Sequence, residues 1–207
     1  MNFKKNVVAV VLASSMMFGC SAFSDNASVD YDQQLVVGNE LSVRATDEYQ
    51  FSKIKEGELV RTTVNTAFLI AKPMYEDYIK SAENQPEVKQ FLAYTQNMSE
   101  EEREAAFNQL DDESKAKVKQ YVESSAFDSV LAGLGDASKA ALSAASKFDE
   151  EKLLGLVTDS NSGLGFKDIM QEQSLYELTG EQIMFMNDSV ISAYQTAKQL
   201  SALTNAQ

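Results

Sequence analysis

Residues 56–82, EGELVRTTVNTAFLIAKPMYEDYIKSA, contain the pattern that decides the fold. Apolar and aromatic side chains recur there at steps of three and four residues, which is the spacing of one face of an α-helix. They are Val60, Val64, Ala67, Phe68, Ala71, Tyr75, Tyr78, Ile79 and Ala82. Because the stripe keeps its phase across Pro73, we expect one long helix that is kinked at the proline rather than ended by it.

Helix signals continue after this stretch. Pro86 suits the first turn of a second helix, and Ser99 followed by Glu102 fits a capping box. An acidic start at Asp111 and Asp112 then predicts a further helix directly after the one that Ser99 begins.

The C-terminal half also has a helical pattern, but glycines punctuate it. We expect a helix over 115–131, a break at Gly133 and Gly135, and an Ala-rich helix over 136–148. After a loop over 158–165, the pattern predicts a short helix that ends at Gly180, followed by a final long helix.

Strand signals are nearly absent from the chain, so the predicted fold is all-α: a multi-helix bundle of about seven or eight helices. We expect residues 51–207 to form a single helical domain. Residues 20–50 are expected to form a polar tether or extended arm, because 21–34 are polar and 35–49 show no clear period.

Composition excludes several kinds of chemistry. The 207 residues include no His, no Trp and one Cys. A His/Cys zinc site, a Ser-His-Asp or Cys-His arrangement and a disulfide within the chain therefore all lack the residues that they need. There is also no Gly-rich phosphate loop or dinucleotide fingerprint. We predict no metal and no cofactor.

The N-terminus has the pattern of a secretory signal. Residues 1–6 carry Lys4 and Lys5, and the apolar run over 7–18 is too short for a permanent membrane span. Small residues at Gly19, Ser21 and Ala22 provide possible cleavage positions.

The sequence Met17-Phe18-Gly19-Cys20 resembles the lipobox of bacterial lipoproteins. That resemblance implies that residues 1–19 are removed and that the Cys20 thiol is acylated with diacylglycerol. With Ser21 rather than Asp after the cysteine, it also implies the outer membrane, facing the periplasm. The alternative is ordinary cleavage after Ala22, which would release a chain that begins at Phe23.

The charge balance bears on partners. Removal of 1–19, which carry two lysines and no acid, would change the net charge from −13 to −15. A surface this acidic repels nucleic acid and anionic headgroups, so we expect no nucleic acid partner and a membrane contact only through the N-terminal lipid. The negative charge can keep the protein soluble in the envelope or attract a cationic partner. It gives no indication of the oligomeric state.

One short string suggests an enzyme. Residues 123–128, ESSAFD, resemble the motif of the lytic transglycosylases, helical envelope enzymes that cleave peptidoglycan with a single Glu. The resemblance implies that Glu123 would be the catalytic acid. The other interpretation is an exposed helical carboxylate at Glu123 and no catalytic residue.

Three functions follow from these observations. The favoured one is a non-enzymatic, lipid-anchored envelope protein whose helical domain binds another envelope component, in particular a protein. A second is a carrier or chaperone of an apolar ligand held in an interhelical cavity lined by Met and Tyr. Met170, Met184 and Met186 are the methionines that could line such a site, although methionines also fill gaps in cores. The third is the peptidoglycan enzyme with Glu123.

Overall fold

In a computed structural model of the chain, residues 28–159 and 162–205 are described. Within them, all regular structure is helical, which confirms the predicted fold class. The helices are α1 (Tyr31–Ala45), α2 (Lys55–Ser81), α3 (Pro86–Thr95), α4 (Glu100–Gln109), α5 (Asp112–Val122), α6 (Ser125–Ala145), α7 (Glu150–Thr158), α8 (Phe166–Phe185) and α9 (Ser192–Asn205). A π-helical segment, Met186–Ile191, joins α8 to α9 without a break, so these residues form eight helical rods.

Helix α2 is the centre of the bundle. Every member of the predicted apolar stripe is buried except Val60, which is half-buried and packs against the same core. The helix runs through Pro73, as its unbroken phase predicts. Its most extensive contact is with α6, whose buried Ala137, Ala141 and Ala144 are small enough to let the two backbones approach closely.

The predicted helix starts are confirmed for α3, α4 and α5. Pro86 is the first residue of α3. Ser99 and Glu102 form the reciprocal capping box of α4, in which the Ser99 N–H donates to Glu102 Oε2 over 2.9 Å. The Asp111 carboxylate accepts the Ser114 N–H over 2.7 Å and caps α5.

The predicted break at Gly133 and Gly135 is wrong, because α6 passes through both glycines. The chain turns earlier, at Glu123 and Ser124. Ser124 separates α5 from α6 because it is the N-cap of α6: its Oγ accepts the Phe127 N–H over 3.2 Å. The glycines serve packing instead: a Cβ at Gly135 would lie 3.2 Å from the Tyr194 ring, close enough to crowd it.

The predicted break at Gly180 is also wrong, since α8 continues to Phe185. The Thr179 hydroxyl is buried and donates to the Leu175 carbonyl within the helix, so it makes no competing turn. The irregularity lies further along, where the Ser192 N–H reaches back five residues to the Asn187 carbonyl and forms the π-helical turn.

The prediction of a tether or extended arm over residues 20–50 is wrong for 31–45, which form α1. The Asp30 carboxylate caps this helix by accepting the Gln33 N–H, and Tyr31, Leu41 and Ala45 lie in the core. Val36 and Val37, which lie in the stretch without a clear period, are exposed on this helix. Helix α1 therefore packs on the same hydrophobic core as the helices that follow it.

Candidate functional site

Cys20, the predicted lipid-attachment residue, lies outside the described residues, together with the predicted signal peptide 1–19 and residues 21–27 of the predicted tether. Among the helices that are described, none combines the length and the hydropathy needed to span a bilayer.

Glu123 is exposed at the turn between α5 and α6. Its backbone N–H donates to the Lys119 carbonyl over 2.9 Å, which ends α5. Four residues later, Phe127 is fully buried with its ring 5.1 Å from that of Tyr121. The string 123–128 thus forms a capped helix junction with Glu123 exposed at its surface.

The three methionines that could have lined a shared cavity lie in different environments. Met186 is 1% exposed and belongs to the core, whereas Met170 and Met184 are 45% and 52% exposed. The structure therefore does not bring them together around an internal ligand. Met170 and Met184 are surface residues, so they do not fill gaps in the core.

Met170 and Met184 belong to an apolar row on the outer face of α8. Met170 follows Phe166 by four residues and Met184 follows Phe166 by eighteen, which is five full turns of an α-helix. Phe166 is 71% exposed. The three side chains therefore project on the same side of α8 over roughly 27 Å.

An acid interrupts this row. Glu177 follows Met170 by seven residues and precedes Met184 by seven, so it lies on the same face, and it is exposed. Lys167 is exposed as well but lies about 100° around the helix from Phe166. We call the face formed by Phe166, Met170, Glu177 and Met184 the α8 stripe.

The opposite side of α8 is fixed by a buried carboxylate. Glu172 is 1% exposed and accepts two hydrogen bonds from the segment before α2, one from Ser52 Oγ over 2.5 Å and one from the Lys53 N–H over 2.6 Å. Outside this contact, Lys53 Nζ lies 2.6 Å from Asp168 Oδ1 and holds the pKa of the Asp168 carboxyl below its ordinary value. These bonds set the rotation of α8 and so the direction of the α8 stripe.

Tyr176 also helps to hold α8 against α2. Its ring packs with Leu153 and Val157 of α7 in a small second core, and burial raises the pKa of its phenol. Gly57 of α2 makes room for it, because a Cβ there would lie 2.0 Å from Tyr176 Oη. Helices α2, α7 and α8 thus meet around one tyrosine.

No group of three or more His, Cys, Asp or Glu side chains within 28–159 and 162–205 is arranged to hold a metal ion. Ser52 is hydrogen-bonded to the carboxylate of Glu172. Its hydroxyl also accepts the Ile54 N–H over 3.0 Å and so shapes the turn before α2.

A surface pocket of about 400 Å³ lies between α6 and α9, lined by Asp128, Asp136, Lys139, Tyr194 and Lys198 among others. It is open to solvent, and its Asp136–Lys139 ion pair of 2.9 Å is exposed on both sides. Its lining contains two aspartates and two lysines, so it carries no net charge that would select an anion or a cation.

Comparison with protein-family models, with curated proteins and with solved structures gives no match to this chain.

Proposed function

We propose that this chain is a lipid-anchored protein of the bacterial cell envelope, and that its helical domain binds another envelope protein through the α8 stripe. The observation that carries the binding proposal is the alignment of Phe166, Met170 and Met184, all at least 45% exposed, on one face of α8. The lipobox-like residues 17–20 support the anchor. The anchor would be attached at Cys20, in the outer membrane and facing the periplasm.

An aligned row of large apolar side chains is costly for a free surface, since each exposed group orders water without packing in return. Methionine side chains are flexible and polarisable, so a pair of them can adapt to a partner of imperfect shape. A stripe of roughly 27 Å by 10 Å gives an area of about 300 Å², which is below that of a stable interface. The proposed contact is therefore transient.

The charge of the stripe indicates the chemistry of the partner. Glu177 lies between the two methionines, and the whole chain carries a net charge of −13. A basic amphipathic helix would place apolar side chains against Met170 and Met184 and a Lys or Arg against Glu177. Such a partner would also be drawn in by long-range attraction.

A pair of synthetic helical peptides tests this proposal, one with leucines and lysines in an amphipathic pattern and one in which every lysine is replaced by glutamate. We expect only the basic peptide to bind the full chain in detergent, with shifts in the methyl resonances of Met170 and Met184. Glu177→Lys should weaken binding about tenfold, because it removes an attraction and adds a repulsion.

The matched control is Glu104→Lys, which makes the same charge change at an exposed position of α4. If Glu104→Lys weakened binding as much as Glu177→Lys, the peptide would be responding to net charge, and the α8 stripe would lose its proposed role.

A further inference from the structure

Methionine supplies all the sulfur of the helical domain. The single Cys of the chain is Cys20, so residues 21–207 carry no thiol. The methionines among the described residues are Met74, Met98, Met170, Met184 and Met186. Because a two-electron oxidant converts a methionine thioether to its sulfoxide, these five side chains are the sulfur groups through which an oxidant can act on the described part of the chain.

The five methionines differ widely in exposure. Met184 and Met170 are 52% and 45% exposed, whereas Met186 is 1% exposed. Met74 and Met98 are half-buried, and Met74 packs against the main hydrophobic core. A dissolved oxidant therefore reaches the sulfur atoms of Met170 and Met184 first.

These two accessible methionines lie on the same surface, the α8 stripe. They are fourteen residues apart along α8, which corresponds to roughly 21 Å, and Glu177 lies midway between them. Hydrogen peroxide is uncharged, so neither Glu177 nor the net charge of −13 keeps it away from the stripe. The surface proposed to bind the partner is thus also the one most open to oxidation among the described methionines.

We propose, on the basis of the partner-binding role proposed for the α8 stripe, that oxidation of Met170 and Met184 to their sulfoxides switches this binding off. A lone pair of the thioether sulfur attacks one oxygen of hydrogen peroxide and forms the S–O bond while the O–O bond breaks. The proton on the transferred oxygen moves to the departing hydroxide, and water is released. The sulfur loses two electrons and the peroxide gains them.

The switch works because the sulfoxide is polar. Against the apolar face of a partner helix its oxygen accepts no hydrogen bond, so its burial is unfavourable. The basic side chain that would meet Glu177 lies about two helical turns from either sulfoxide and provides no donor there. The core is spared, since Met186 is buried, and the domain stays folded.

The order of oxidation is measured by mass spectrometry of peptides from the full chain, after brief treatment with limiting hydrogen peroxide in detergent. We expect Met170 and Met184 to be converted before Met74, Met98 and Met186. Earlier conversion of any of those three would overturn the assignment of the switch to the α8 stripe.

The effect on binding is measured with the basic leucine–lysine peptide before and after the same treatment. We expect oxidation to weaken binding at least about tenfold without a change in Tm. Methionine sulfoxide reductases for both sulfoxide epimers, with dithiothreitol as reductant, should restore binding. In that reaction the dithiol becomes a disulfide and the sulfoxide oxygen leaves as water.

A variant with both Met170→Leu and Met184→Leu separates oxidation of these residues from other damage. Leucine keeps an apolar side chain of similar volume and removes the sulfur, so the variant should bind the peptide as reduced wild type does and be insensitive to peroxide. The matched control Met98→Leu, at a half-buried methionine outside α8, should keep the wild-type sensitivity.

The outcomes distinguish this switch from the proposed function on which it rests. Undiminished peptide binding after conversion of Met170 and Met184 would overturn the switch and leave the partner-binding role standing, as would an equal loss of binding on oxidation of the double leucine variant. If reduced wild type did not bind the basic peptide at all, the proposed function would fail and the switch would fall with it.

Discussion

Replacement of Gly57 by alanine tests whether the contact between α2 and α8 holds the two helices in place. The new Cβ would lie 2.0 Å from Tyr176 Oη, 2.7 Å from Cζ and 2.9 Å from Cε1. An ordinary contact needs more than 1 Å of further separation from the hydroxyl, yet the Tyr176 ring is 1% exposed and enclosed by Leu153 and Val157. The ring cannot yield as the tip of a flexible side chain would.

The expected magnitude follows from two opposing terms. Overpacking a well-filled site costs about 1–3 kcal/mol, whereas alanine in place of glycine in a helix gains at most about 1 kcal/mol. We expect a net loss of about 1–2 kcal/mol for Gly57→Ala, which lowers Tm by roughly 2–8 °C in a domain of this size. Urea denaturation followed by far-UV circular dichroism measures the free energy directly.

Gly133→Ala is the matched control, because it also adds a methyl group to a glycine within a helix, here α6, which packs against α2. Its Cβ would meet only the Met74 side chain, with Sδ at 2.7 Å and Cγ at 3.7 Å, and this flexible side chain can turn away. Its helix-propensity gain should therefore win, with a stabilisation of up to about 1 kcal/mol. If Gly57→Ala were as stabilising as Gly133→Ala, the proposed packing between α2 and α8 would be refuted.

A double-mutant cycle makes the test more specific. Tyr176→Phe removes the atom nearest to the new Cβ, so it should recover part of the loss caused by Gly57→Ala. Strictly additive free energies would mean that the alanine destabilises the protein by some route other than the Tyr176 hydroxyl.

Three further predictions concern a cap, an ion pair and the anchor. Ser124→Ala should cost about 1 kcal/mol in urea denaturation, because the Phe127 N–H at the start of α6 loses its acceptor; a neutral result would mean that Ser124 does not separate α5 from α6. The Lys72 ammonium, 2.6 Å from Glu76, lowers the pKa of that carboxyl below 4.5, so its stabilisation is complete above pH 4.5 and lost as the pH falls through the lowered value. Glu76→Gln should therefore reduce stability at neutral pH and leave it unchanged at about pH 2; an equal loss at both pH values would exclude the ion pair as the cause. Cys20→Ser should abolish labelling by a fatty-acid probe in cells, and equal labelling of variant and wild type would rule out acylation at Cys20.

Local patterns were sufficient to predict the helices that have unambiguous spacing or caps. The stripe from Val64 to Ala82 identifies the buried face of α2, and the Ser99–Glu102 box marks the start of α4. Both depend on residues that are close in sequence, so no knowledge of the rest of the fold is needed.

The errors have a different physical origin. Gly133 and Gly180 resemble helix breakers, but tertiary packing keeps each of them helical, with Gly133 against Met74 and Gly180 near Phe148. Ser124 caps α6 without the Glu or Gln three residues later that would have marked it, because Phe127 occupies that position. Sequence alone cannot separate a glycine that ends a helix from one that admits a neighbour.

The candidate site was visible only in part. The sequence suggested that Met170 and Met184 could serve binding, but whether they face a core or solvent depends on which side of α8 is covered. Glu172 and Tyr176 determine that side through contacts with residues more than a hundred positions away.

The proposed role of the α8 stripe can be tested in living cells with a photo-crosslinking amino acid placed at Met170 or Met184 of the full chain. Leu59 and Ile70 of α2, which are 71% and 51% exposed, provide apolar control positions of similar exposure. We predict a discrete protein adduct from Met170 and Met184 alone, with the crosslink mapped to a basic amphipathic helix of the partner. No adduct at those two positions, or the same adduct from Leu59 and Ile70, would contradict the proposal that this domain works through the α8 stripe.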